Sequence, residues 1–145
     1  MRTRFVLLAI ATLVVAASDA LASGTQFTLR VYDPTGLVKT EVTSADVVRS
    51  SFRAVLQPGG SAAVVGTLTR AGDSKFCSLT RALARRGARL RRPQHFAFEV
   101  AGRVYARPWV DYKAFPNGVC GSPAFEVVGM RLAVARTLVR LIRGA

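Results

Sequence analysis

"AGDSKFCSLTRALARRG", residues Ala71 to Gly87, is where the chain changes period. The segments before it alternate or run in short β-branched stretches. Within it Phe76, Leu79 and Leu83 fall at i, i+3 and i+7, the spacing of one helix face. Asp73 stands where a residue of its type caps a helix, and Gly87 where glycine stops one. Cys77 lies beside the apolar stripe, at the margin of the face turned to the core.

Working outward, "QFTLRVY" (Gln26 to Tyr32) alternates as a strand and "DPTG" (Asp33 to Gly36) reads as a turn. Thr43 can cap a single helical turn with Asp46 three residues on. Phe52 to Leu56 and Ala62 to Thr69 form a hairpin around "QPGG" (Gln57 to Gly60). Beyond the helix, "HFAFEVAGRVYARPWVDY" (His95 to Tyr112) is a strand, a tight turn at Ala101-Gly102 and a second strand. Pro108 marks a point where its ladder lacks a donor. Ala124 to Val128 follows as a short strand, and Gly129 leads into "MRLAVARTLVRLIRG". There Val134, Leu138, Leu141 and Ile142 form an apolar face, with Arg136, Arg140 and Arg143 on the other. Such a helix closes a domain by packing on its sheet, or lies on a membrane surface. The order predicts an α+β protein: a ferredoxin-like two-layer sandwich, its sheet mostly antiparallel, with two main helices on one face.

The first residues read as a signal peptide. Arg2 and Arg4 precede an apolar run from Phe5 to Ala17, and Ala20-Leu21-Ala22 offers the small residues of a cleavage site. As a helix that run spans about 20 Å against a hydrocarbon core of about 30 Å, so cleavage after Ala22 is expected, with a retained anchor as the alternative. No later segment is long and apolar enough to cross a bilayer. Residues 1–22 are thus assigned to the signal, 23–42 to an N-terminal strand segment and 43–145 to the main α+β portion. Residues 23–145 form one globular unit, periplasmic or secreted. That unit carries 19 basic and 7 acidic residues, a net +12. The charge attracts anionic partners; outside the cytoplasm these are anionic lipid or envelope polymer rather than nucleic acid.

Cys77 and Cys120 are the only cysteines, and an oxidising compartment favours their pairing. Closing a loop of that length contributes about 4 kcal/mol in the chain-entropy model. With the lone His95 they do not make a zinc-like cluster, so no metal is expected. No sequence signature ties His95 to a nucleophile, and Asp33, Asp46, Asp73, Glu99, Asp111 and Glu126 are scattered. The glycine pairs open no helix in a phosphate cradle, so no enzyme and no cofactor is expected. The densest feature is "RALARRGARLRR", with Arg81, Arg85, Arg86, Arg89, Arg91 and Arg92 in twelve residues. These are the candidate binding residues, since guanidinium forks hold carboxylates and phosphates; a solvated helix face is the alternative. Tyr105, Trp109 and Tyr112 make either an aromatic peptide-binding strip or part of the core.

"LTRAGDSKFCSLT" (Leu68 to Thr80), the hairpin "VAGRVYARPWV", a glycine-containing loop and a last helix ending "LIRG" follow one another in an order that resembles a known family. It is similar to the head subdomain of the first periplasmic domain of SecD, the auxiliary membrane subunit of the bacterial protein-export translocase. The residues that carry the resemblance are Leu68, Thr69, Gly72, Lys75, Phe76, Leu79, Thr80, Gly102, Val104 and Pro108, and it extends from Thr43 to Gly144. Ala101 replaces the turn Asp of the family, and both cysteines are additions. The resemblance implies the α+β fold and a non-enzymatic role in contacting exported polypeptide or the translocase. By this reading the hairpin marks the fold and the arginine segment is the working surface.

Overall fold

A computed structural model describes residues 27–144 of the chain; the signal-peptide assignment lies outside them. Strand β1 (Leu29–Tyr32) and strand β2 (Val42–Thr43) lead into a 3-10 turn at Ser44–Asp46. Strands β3 (Val47–Leu56) and β4 (Ala62–Leu68) precede helix α1 (Arg70–Leu90). Four short strands follow: β5 (Gln94–His95), β6 (Ala97–Val100), β7 (Arg103–Ala106) and β8 (Trp109–Val110). Strand β9 (Ala124–Met130) and helix α2 (Leu132–Arg143) complete the described residues.

The described residues are α+β with two α-helices and antiparallel pairing throughout, but their strands divide among three sheets rather than forming the single sheet of a ferredoxin-like sandwich. Their orders are β2-β1-β6-β7, β3-β4-β9 and β5-β8. The helices accordingly do not share one face of one sheet. Helix α2 lies on β3 and β4, whereas α1 packs against the 3-10 turn, β2, β5 and β8. Local breaks explain the division. Pro108 has no N–H to donate, and its carbonyl accepts from Phe96 N–H where the long hairpin passes from β6–β7 to β5–β8. In β3 the register shifts between Val48 and Arg53, and Ser51 patches the gap. Its hydroxyl donates to the Val48 carbonyl at 2.6 Å and accepts from Thr67 N–H at 2.8 Å.

All three sheets and both helices close on a single core, in which Leu29, Phe52, Leu79, Leu83, Phe98, Leu138 and Ile142 are fully buried. Phe76 of α1 meets Phe96 and Phe125 edge-on at 5.7 and 5.6 Å between ring centres, tying the helix to β9 and to the link between β5 and β6. In α2 the buried face is Ala135, Leu138 and Ile142. Val134 and Leu141, expected on that face, are exposed.

Two expected boundaries of α1 move. The N-cap is Thr69, whose hydroxyl accepts from Gly72 N–H at 3.1 Å, and Asp73 sits inside the first turn. Gly87 does not end the helix; it is buried within it, where a Cβ would lie 3.1 Å from the Tyr112 ring and 3.0 Å from the Arg92 carbonyl. The chain leaves the helix at Arg91, which takes the left-handed conformation.

Candidate functional site

The motif that carried the family resemblance has a structural task at nearly every position. Thr69 caps α1. Gly72 gives room to the 3-10 turn, because a Cβ there would collide with the Asp46 carbonyl. Lys75 donates to both Asp46 oxygens at 2.9 Å. Burial pushes the Asp46 carboxyl up, and the bonds from Lys75 and Thr43 more than reverse it, leaving the carboxyl below its usual range. Thr80 accepts from Val119 N–H at 2.8 Å, and Cys77 is joined to Cys120 by a disulfide with Cα atoms 4.6 Å apart. Together these contacts fasten the β9 approach to the first half of α1.

The six arginines of the α1 segment separate into different environments. Arg86 is buried and its guanidinium grips Asp33 at 2.7 and 3.1 Å, while its Nε donates to Gln94 at 2.8 Å. Burial pushes the Asp33 carboxyl up, but Arg86, the Val38 and Thr35 N–H groups and the Thr35 hydroxyl outweigh it. The carboxyl is held far below the usual range. Arg86 therefore belongs to a closed internal network and not to a surface. Arg81 folds back, its Nε donating to the Asn117 carbonyl at 3.1 Å and its tip lying over the disulfide sulfurs. Arg85, Arg89, Arg91 and Arg92 are exposed.

A more shaped surface lies along the hairpin that the sequence reads mainly as a fold signature, with an aromatic peptide-binding strip as the alternative. Strand β7 is the outermost strand of one sheet and β9 of another, so among the described residues each has a side without a strand partner. Between them runs a groove of about 470 Å³, walled by Tyr105 to Trp109 on one side and Glu126 to Met130 on the other. Trp109 is 65% exposed and Val128 62%. Tyr105 is half-buried beneath the Arg103 guanidinium, 5.2 Å from its ring centre, and Tyr112 packs into the core margin. His95 Nδ1 donates to the Arg107 carbonyl at 3.1 Å and its ring meets Trp109 edge-on, fixing the far end of the groove. The aromatic strip is thus split: Tyr105 and Trp109 line the groove and Tyr112 does not. The signal for this site in the sequence was weak, since an edge strand is defined by what fails to pair with it.

No protein-family model matches the chain, and no curated protein does. Among solved structures it is similar to SecDF, a membrane component that enhances protein export, with a TM-score of 0.53 and 23% identity; 72% of this chain and 40% of that one are covered. It is likewise similar to SecDF in a super-membrane-facing form, with a TM-score of 0.56 and 16% identity over 82% of this chain and 18% of the other. The chain thus spans less than half the length of either. It matches SecDF periplasmic domains over most of its own length, and what it shares with them is their fold.

Proposed function

We propose that this chain is a non-enzymatic extracytoplasmic domain that binds exported polypeptide in an extended conformation. The observation that carries the reading is the pair of edges, β7 and β9, that no strand among the described residues covers, on the two sides of a groove with exposed Trp109 and Val128. An extended segment laid there exchanges main-chain hydrogen bonds with a sheet edge, and alternate side chains meet the apolar walls. Backbone bonding is blind to sequence, which suits a partner that must accept many different chains. The SecDF-like fold and the Cys77–Cys120 disulfide support a place outside the cytoplasm, following the signal assigned to residues 1–22. The exposed arginines Arg85, Arg89, Arg91 and Arg92 supply long-range capture of acidic segments rather than the main contact.

The test is photo-crosslinking in cells, with a reactive side chain introduced in turn at Tyr105, Val128, Arg85 and Arg89. Adducts with many different exported chains, concentrated at Tyr105 and Val128, are the expected result. Adducts only with lipid or wall polymer, concentrated at Arg85 and Arg89, would instead establish a basic module held on the envelope.

A further inference from the structure

Strand β3 forms the other outer edge of the three-stranded sheet, and α2 lies against it. Between them opens a second cleft of about 520 Å³, with Ala54 and Val139 half-buried in it and Arg53, Arg136, Arg140 and Arg143 around it. Three of these guanidinium groups come from one helix at i, i+4 and i+7, and β3 brings the fourth. Among the described residues no acidic side chain lines the cleft. Among the described residues the ion pairs are Arg30–Glu41, Lys75–Asp46 and Arg86–Asp33, and none of them reaches it. Arg140 has one weak partner, the Thr137 hydroxyl at 3.3 Å.

Helix electrostatics accounts for part of this arrangement. Arg140 and Arg143 lie in the last turn, at the negative end of the α2 dipole. That leaves Arg136, further up the helix, and Arg53, on a different element. Like charges three and four residues apart on a helix repel, and Arg53 adds to the repulsion. A neighbouring carboxylate would relieve it, yet the described lining residues supply none. Four forks around an apolar floor are complementary to an anion that brings several oxygens at once.

We infer that this cleft is a binding site for a phosphate-class oxyanion carrying two or more negative charges. The same chemistry is offered by a phosphate-bearing lipid head group and by a soluble phosphate compound.

The probe is inorganic pyrophosphate, titrated into the full chain at low salt while melting temperature and heat of binding are followed. Saturable binding with a rise in melting temperature is expected. Arg136→Gln with Arg140→Gln should weaken it by about tenfold or more, and Arg53→Gln alone should weaken it from the strand side. Arg136→Lys with Arg140→Lys keeps the charge and loses the forks, so it also weakens binding. Arg85→Gln with Arg89→Gln on α1 should leave the affinity within about twofold, since those side chains are not part of the cleft. Without pyrophosphate Arg53→Gln should melt no lower than the parent, since it removes a repelling charge that lies outside the α2 dipole. Equal weakening by the α1 pair, or no saturable binding, would overturn the inference. Cardiolipin-containing vesicles, whose head group carries two phosphates, that bind the parent, release it to pyrophosphate and fail to bind the α2 pair assign the head group as the source. Pyrophosphate binding without vesicle binding assigns a soluble phosphate.

Discussion

At the scale of single residues, Arg86 shows how little a residue's type reveals about its task. It stands in a run of six arginines, yet it alone is buried, because Asp33, 53 positions earlier, is brought beneath it. The pair carries two charges out of water, so removing one partner leaves the other uncompensated. Arg86→Met should cost about 3–5 kcal/mol, read from urea unfolding at neutral pH. The same network sets an acid dependence. Asp33 and Asp46 have folded-state values below their unfolded ones, so the unfolded chain binds more protons in between. Their contribution is complete above about pH 5 and is lost as pH falls through the folded values. Unfolding measured from neutral to strongly acid pH should show that loss in the parent. In Arg86→Met the slope should be flatter, because burial then favours the protonated Asp33. A glycine can mislead in the same way as an arginine. Gly87 looks like a stop signal, but its missing Cβ instead lets Tyr112 and the Arg92 carbonyl close on the helix.

At the scale of elements, what repeats locally was legible and what depends on distant pairing was not. The i, i+3, i+7 stripe of α1 and the Ala101-Gly102 turn both stand as read, since each is decided within a few residues. The helix start was misplaced because Thr69 ends a β-rich run and Asp73 is an equally good cap by type; the hydroxyl of Thr69 reaches Gly72 N–H and settles it. The apolar arc of α2 was visible, but its centre depends on the sheet beneath. The division into three sheets rests on pairings such as β1 with β6 and β4 with β9, which no local pattern encodes. One prediction belongs here. Ala101 and Gly102 both have positive φ, 50° and 76°, as a two-residue turn of the I′ type requires. Alanine pays a steric penalty there that asparagine largely avoids. Ala101→Asn should therefore stabilise the protein by about 0.5–1 kcal/mol, visible as a higher melting temperature with no change in fold.

At the scale of the whole molecule, the two edges of the three-stranded sheet face different chemistry. The β9 edge borders an apolar groove with β7 opposite, and the β3 edge borders a cleft of arginines under α2. The sequence drew attention to the α1 arginines because charge density is visible in one dimension. The groove was invisible in that sense, since its walls lie far apart in the chain and neither strand is unusual alone. Trp109 is the only tryptophan in the chain and it is exposed in the groove, so its fluorescence reports on this surface directly. The most direct measurement is a titration with a permanently unfolded polypeptide at about 1 M salt, where the Debye length is about 3 Å and charge attraction is screened. The account predicts that Trp109 emission moves to shorter wavelength and becomes shielded from a soluble quencher, saturably, and that the folded form of the same polypeptide does neither. Binding that disappears with salt, or that leaves Trp109 unchanged, would contradict it.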